Sequence, residues 1–174
     1  MWLVGDTGQL WEGWLERVPA AHLAADEPAA RSALSAAAAS LGVALLLESP
    51  GEVIPLPAAS AARHRPVAAA PGTLHFDPYS VAFRCLARGD EPDYRTVLRY
   101  LRHGWLTLEE MDRLLEDVLP RFTRETIAQD PAEFRRKYRG LCQMWLEQVN
   151  NRKPRPEGQP TTRTLELAPP REGV

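Results

Sequence analysis

The chain has 174 residues but only two cysteines, Cys85 and Cys142, and both sit in apolar stretches. They form no CxxC pair and have no histidine at metal-site spacing. That excludes a zinc ribbon and a disulfide-stapled scaffold, and leaves a reduced intracellular protein with two small buried thiols. No apolar run approaches the roughly 20 residues that a membrane-spanning helix needs. The first residues also lack the basic segment of a secretory leader, so the expected location is cytoplasmic, with no membrane partner. Lysine is nearly absent: 19 of the 21 basic residues are arginine. No serine or cysteine stands beside a histidine in a recognisable nucleophile elbow, and no segment repeats.

The formal charge of −2 hides an asymmetry. Residues 1–120 carry 10 Lys/Arg against 16 Asp/Glu, whereas residues 121–174 carry 11 against 7. Positive charge is therefore concentrated in the last third. There Arg135, Arg136, Lys137 and Arg139 form a basic surface suited to DNA, RNA or another acidic partner.

The apolar periodicity predicts an α+β fold: a small mixed sheet with helices, followed by a helical part. Three regions are expected, an αβ half over 1–76, a helical half over 77–149 packed on it, and a flexible basic, proline-rich tail over 150–174. In the first half, strands are expected at Met1–Val4, His22–Ala25, Val43–Leu47, Glu52–Leu56 and Thr73–Phe76. Val43–Leu47 reads as buried and as paired with Glu52–Leu56 in a hairpin. A short helix is expected over Gly8–Leu15. A longer one starts at Asp26 and Pro28 and ends before Gly42, with Leu34, Ala37, Ala38 and Leu41 facing inward. Pro57–Gly72 reads as a loop with a solvated basic tip at Arg63-His64-Arg65. Four helices follow: Asp77 to Arg88, Pro92 to Arg102, Leu108 to Leu119 behind a Thr107/Glu110 capping box, and Asp130 to Val149.

Two stretches carry a resemblance. Leu3-Val4-Gly5-Asp6-Thr7-Gly8 has the layout of a strand and glycine turn opening a helix, and Arg17-Val18-Pro19-Ala20-Ala21-His22-Leu23 that of a second strand. Downstream, His75-Phe76-Asp77-Pro78-Tyr79-Ser80 leads into Arg84-Cys85-Leu86-Ala87-Arg88-Gly89-Asp90-Glu91-Pro92-Asp93. Together these resemble a family of bacterial nucleotidyltransferase-like proteins, some of them toxin–antitoxin-like, over residues 2–119. The resemblance implies a glycine turn that holds nucleotide phosphates, with Gly5, Thr7, Gly8, Arg84 and Arg88 as the phosphate-binding candidates. It also implies a structural pair between Arg88 and Asp93.

The departures from that family matter as much. Nucleotidyl transfer needs two Mg²⁺ ions held by aspartates one residue apart on a strand, where side chains of period two point the same way. Here those positions are Ala20 and His22, and histidine is a poor ligand for a hard cation. The second glycine of the turn is Asp6, the family lysine is Arg84, and a later aspartate is Thr96. The expectation is a catalytically degenerate protein that needs no metal or cofactor and acts by binding a protein or nucleic-acid partner. One alternative is an active Mg²⁺-dependent nucleotidyltransferase with an atypical site drawn from Asp6, His22, Asp26 and Glu27. Another is a nucleic-acid-binding accessory protein that uses the basic helix Pro131–Val149.

Overall fold

The computed structural model describes residues 1–48, 50–68, 70–122 and 129–152. The fold is α+β, a five-stranded mixed sheet with helices, as the periodicity predicts. The strands are β1 (Trp2–Leu3), β2 (Ala21–Ala24), β3 (Leu45–Leu47), β4 (Arg65–Pro66) and β5 (Leu74–His75). Their order is β3-β2-β1-β5-β4, with β1 central. β1 pairs antiparallel with β2 and parallel with β5, β3 is parallel to β2, and β4 is antiparallel to β5. Helices α1 (Asp6–Trp11) and α2 (Pro28–Leu41) lie in the first half, with one helical turn, α3 (Pro50–Val53). Then come α4 (Pro78–Arg88), α5 (Glu91–Arg102), α6 (Leu108–Val118) and α7 (Pro131–Arg152).

Three expectations for the strands and helices after β2 fail. Glu52 lies in α3, not in a strand, so there is no hairpin. After β3 the chain leaves the sheet, and Pro50-Gly51 begins a helical turn that delivers Ile54 to the core. The run Val43–Leu47 is an edge strand rather than a buried one, with Leu46 51% exposed. An apolar run marks a strand but does not say which side of the sheet it will occupy. Finally, α2 has no buried residue: Leu34 and Ala38 are half-buried, while Ala37 and Leu41 are exposed. It packs against β3 without burying any of its own residues. Its ends follow the sequence, with Pro28 in the first turn and Gly42 in the left-handed conformation that stops it.

The helical half matches its expected bounds closely. Asp77 caps α4 by accepting from the Tyr79 N–H, and Asp130 caps α7 by accepting from the Ala132 N–H at 2.9 Å. Thr107 caps α6 by accepting from the Glu110 N–H. The reciprocal arm of that capping box is not made, because the Glu110 carboxylate pairs with Arg113. One hydrophobic cluster joins both halves: Val4, Ala24, Ile54 and Phe76 pack with Phe83, Leu86, Met111, Leu114, Phe134 and Leu141. Each large side chain buried this fully contributes about 2 kcal/mol. Along α7 the burial stops at Leu141, leaving Trp145 half-buried and Val149 exposed. No described helix is long and apolar enough to cross a membrane. Asn150, Asn151 and Arg152 belong to α7, and the rest of the expected tail lies outside the described residues.

Of the basic tip at Arg63-His64-Arg65, Arg63 and His64 are drawn into the fold and only Arg65 stays exposed. Arg63 donates to both carboxylate oxygens of Asp77, at 3.0 and 2.9 Å, and the His64 ring accepts from the Asp77 N–H at 3.0 Å. Asp77 is fully buried, so this clamp supplies the countercharge that a buried carboxylate requires. Arg65 lies over the Trp105 ring at 4.6 Å.

Candidate functional site

The ends of β1, β2 and β3 meet α4 and the start of α5 around a pocket of about 200 Å³. Val4, Gly5 and Asp6 enter from the end of β1, His22 from β2, and Glu48 follows β3. Arg84, Cys85 and Arg88 face it from α4, and Asp93 and Thr96 from α5. Pro19, Val81 and Pro92 supply apolar wall.

Gly5 is required by its backbone, with φ of 56° at the turn from β1 into α1. Gly8 is required for a different reason. A Cβ there would sit 2.9 Å from the Nδ1 of His75, whose Nε2 bonds Glu12 at 2.8 Å. Gly8 is therefore explained by packing against a buried imidazole and does not line the pocket. Thr7 does not line it either: its hydroxyl accepts from the His22 N–H at 2.6 Å, fixing β2 to the start of α1. Of the five phosphate-binding candidates, only Gly5, Arg84 and Arg88 reach the pocket.

Every carboxylate in the pocket has an arginine. Asp6 bonds Arg99 at 3.0 Å and accepts from the Thr96 hydroxyl at 2.7 Å. Asp93 takes a two-pronged contact from Arg88, with Nε at 3.0 Å, as the sequence pairing of Arg88 and Asp93 implied. Glu48, only 8% exposed, shares one oxygen with the His22 Nδ1 and the other with Arg84. Buried Gln9 completes the Asp6 corner, donating to the Thr96 carbonyl at 2.9 Å and accepting from Arg99.

Burial, and then the Arg88 charge, lower the His22 pKa, with Asp6 opposing. The Glu48 charge is already neutralised by Arg84, so we assign a neutral ring whose Nδ1–H donates to Glu48. Burial, then Arg88, likewise lower the Arg84 pKa. Burial, then Asp93, raise that of Cys85, which keeps it a thiol and removes it as a nucleophile.

Mg²⁺ does not fit this donor set. It needs oxygen ligands at about 2.1 Å in octahedral array. Asp6, Glu48 and Asp93 come from three different walls, and each would have to give up its arginine. Among the described residues, no three His, Cys, Asp or Glu side chains converge as a metal site. Asp26 and Glu27 stand exposed at the start of α2, outside the pocket lining, so the structure does not bring them to Asp6 and His22.

On α7, Arg135, Arg136 and Arg139 are exposed, and Lys137 is tied into the fold. Arg135 pairs with Glu116 at 2.8 Å, and Arg136 reaches Glu133 at 4.0 Å. Lys137 donates to the Ala87 carbonyl at 2.6 Å and to the Arg88 carbonyl at 3.3 Å, capping the C-terminal end of α4.

Sequence reasoning missed Glu48, Gln9 and Arg99. Glu48 had a signal: it is the first charged residue after an uncharged stretch of 16 residues, 32–47, and it directly follows a strand. Gln9 and Arg99 had none, because they meet 90 residues apart in sequence. No protein-family model, curated protein or solved structure matches the chain.

Proposed function

We propose that the chain is a nucleotidyltransferase-like bacterial protein without nucleotidyl-transfer chemistry, which works in the cytoplasm by binding a protein partner. One observation carries this reading: Asp6, Glu48 and Asp93 are each neutralised by an arginine, so the pocket holds ion pairs where two-metal chemistry needs unpaired oxygens. Ala20 and His22 add no carboxylate to that set. Neither Mg²⁺ nor a nucleotide is required by this reading.

A protein partner is favoured over DNA or RNA. Lys137 is drawn onto the C-terminal end of α4, which takes one charge out of the basic helix as a phosphate-binding face. Leu41, Val43 and Leu46, by contrast, are exposed apolar side chains in an uncharged stretch. Calorimetric titration with ATP and GTP in the presence of Mg²⁺ tests the proposal. No heat of binding is expected. Metal-dependent binding at micromolar affinity would overturn it and favour an atypical enzyme. Steeply salt-dependent binding of DNA or RNA that weakens in Arg135→Ala and Arg136→Ala would favour a nucleic-acid partner.

A further inference from the structure

The outer edge of the sheet at β3 is open. In a parallel ladder, alternate residues of one strand bond to the same neighbour. The Ala21 N–H donates to the Ala44 carbonyl, and the Glu48 N–H donates to the Leu23 carbonyl, each at 2.8 Å. Ala44, Leu46 and Glu48 therefore turn their backbone toward β2. Leu45 and Leu47 turn their N–H and C=O groups outward, and among the described residues no other strand lies on that side.

Natural sheets guard such edges with lysine, proline, a bulge or a covering helix. β3 reads Leu-Leu-Leu with neither lysine nor proline, and α2, which packs against it, leaves Leu46 51% exposed. The stretch 32–47 that leads through α2 into β3 carries no charge at all. That bears on the occupant. A twofold contact sets a surface against its own copy, so any charge near the axis meets the same charge. An uncharged edge meets that condition, and it gives an oppositely charged foreign partner nothing to pair with.

We propose that β3 pairs antiparallel with β3 of a second copy of this chain about a twofold axis at Leu46, making one continuous ten-stranded sheet. Leu45 of each copy then exchanges two hydrogen bonds with Leu47 of the other. The two Leu46 side chains form the non-hydrogen-bonded pair on the axis, where Cα atoms approach to about 4.5 Å. That contact covers a leucine now 51% exposed. Leu46 is opposite His22 in the ladder and so shares its sheet face. The twofold thus sets the two pockets on the same face of the joined sheet. This inference deepens the reading above by naming the protein partner, and it rests on that reading only in treating the uncharged stretch as a binding surface.

Sedimentation velocity of the full chain, from micromolar to hundred-micromolar concentration, reads the outcome. The wild type is expected at twice the 19.4 kDa chain mass. Leu46→Lys and Leu46→Glu, each placing like charges on the axis at an exposed position, are expected to be folded monomers by circular dichroism. An equimolar mixture of the two is expected to recover the dimer through opposite charges. In the wild type, amide exchange at Leu45 and Leu47 is expected to slow as concentration rises, a readout that needs no variant. A monomeric wild type across the range, or a dimer that survives Leu46→Lys, overturns the proposal. Such a result leaves the nucleotide titration above unaffected, so the two readings fail separately.

Discussion

Glu48→Gln separates a structural ion pair from a strained ligand site. Glu48 is 8% exposed and the Arg84 side chain 14% exposed, so the pair is mostly out of water. The substitution keeps the shape of the side chain and removes its charge. Arg84 then keeps its charge mostly out of water, where Arg88 is the strongest charge acting on it and is repulsive. Breaking a buried pair on one side costs about 3–5 kcal/mol, and the lower end applies here because the guanidinium opens onto a pocket. For a chain of this length about 3 kcal/mol lowers Tm by roughly 6–12 °C. Removing both charges, in Glu48→Gln with Arg84→Met, leaves no orphaned cation and should cost only about 1 kcal/mol, about 2 kcal/mol less than Glu48→Gln alone. Urea unfolding followed by circular dichroism measures all three proteins. A carboxylate held in place for metal binding would behave in the opposite way, because neutralising a repelled active-site acid stabilises the fold. If Glu48→Gln unfolds at or above the wild-type midpoint, or the double variant is weaker than Glu48→Gln alone, the arginine-neutralised pocket is the wrong description.

Gly8→Ala places a Cβ 2.9 Å from the His75 Nδ1, and that ring is held by Glu12 and abuts Trp105, so it cannot easily move. A loss of about 1–3 kcal/mol in thermal unfolding is expected, and an unchanged Tm would show that the glycine is not there for packing. Acid should weaken the fold. His22, His64 and His75 all have native pKa values lowered from 6.5, in each case mainly by burial. The unfolded chain therefore binds these protons more readily than the native one. The stability from keeping the rings neutral is fully present above about pH 6.5 and is lost as pH falls through the native values. Urea midpoints measured from about pH 8 down to pH 5 should fall, with most of the change below pH 6.5, and a flat profile would refute the burial argument.

The helical half was legible because its signals are local. Asp77, Thr107 and Asp130 cap within three residues of themselves, and the apolar stripes of α4, α5 and α6 repeat at 3.6 residues against a core that covers them. The sheet was less legible because its strands are two to four residues long, too short for a period to declare itself. Leu45–Leu47 is as apolar as a central strand, and nothing in those residues says that the sheet ends there. The pocket was half legible. Gly5, Asp6, His22, Arg84, Arg88 and Asp93 were singled out by resemblance and do meet, while Glu48 and Arg99 decide the charge balance and entered no motif. The Arg63–Asp77 clamp shows the same limit. A basic tripeptide in a proline-rich loop looks solvated until a fully buried carboxylate, 14 residues on, is seen to need it.

Under the proposed reading, the missing aspartates at 20 and 22 are only part of what separates this pocket from a metal clamp. His22 bonds the one carboxylate that lies beside it, and Arg84 occupies that carboxylate's other oxygen. An aspartate restored at position 22 would face Glu48 as a like charge, with a single arginine between two carboxylates. A divalent cation could bind both only by expelling Arg84 from a place where its side chain is 14% exposed and already repelled by Arg88. The charges on β2, on α4 and after β3 are therefore coupled, and a change at one costs less when it is matched by a change at another. The charges balance as a result: three arginines, of which Arg84 and Arg88 line the pocket, each hold one of its three carboxylates. Each arginine occupies one carboxylate, and together the three pairs brace the ends of the strands and the start of α1 against α4 and α5.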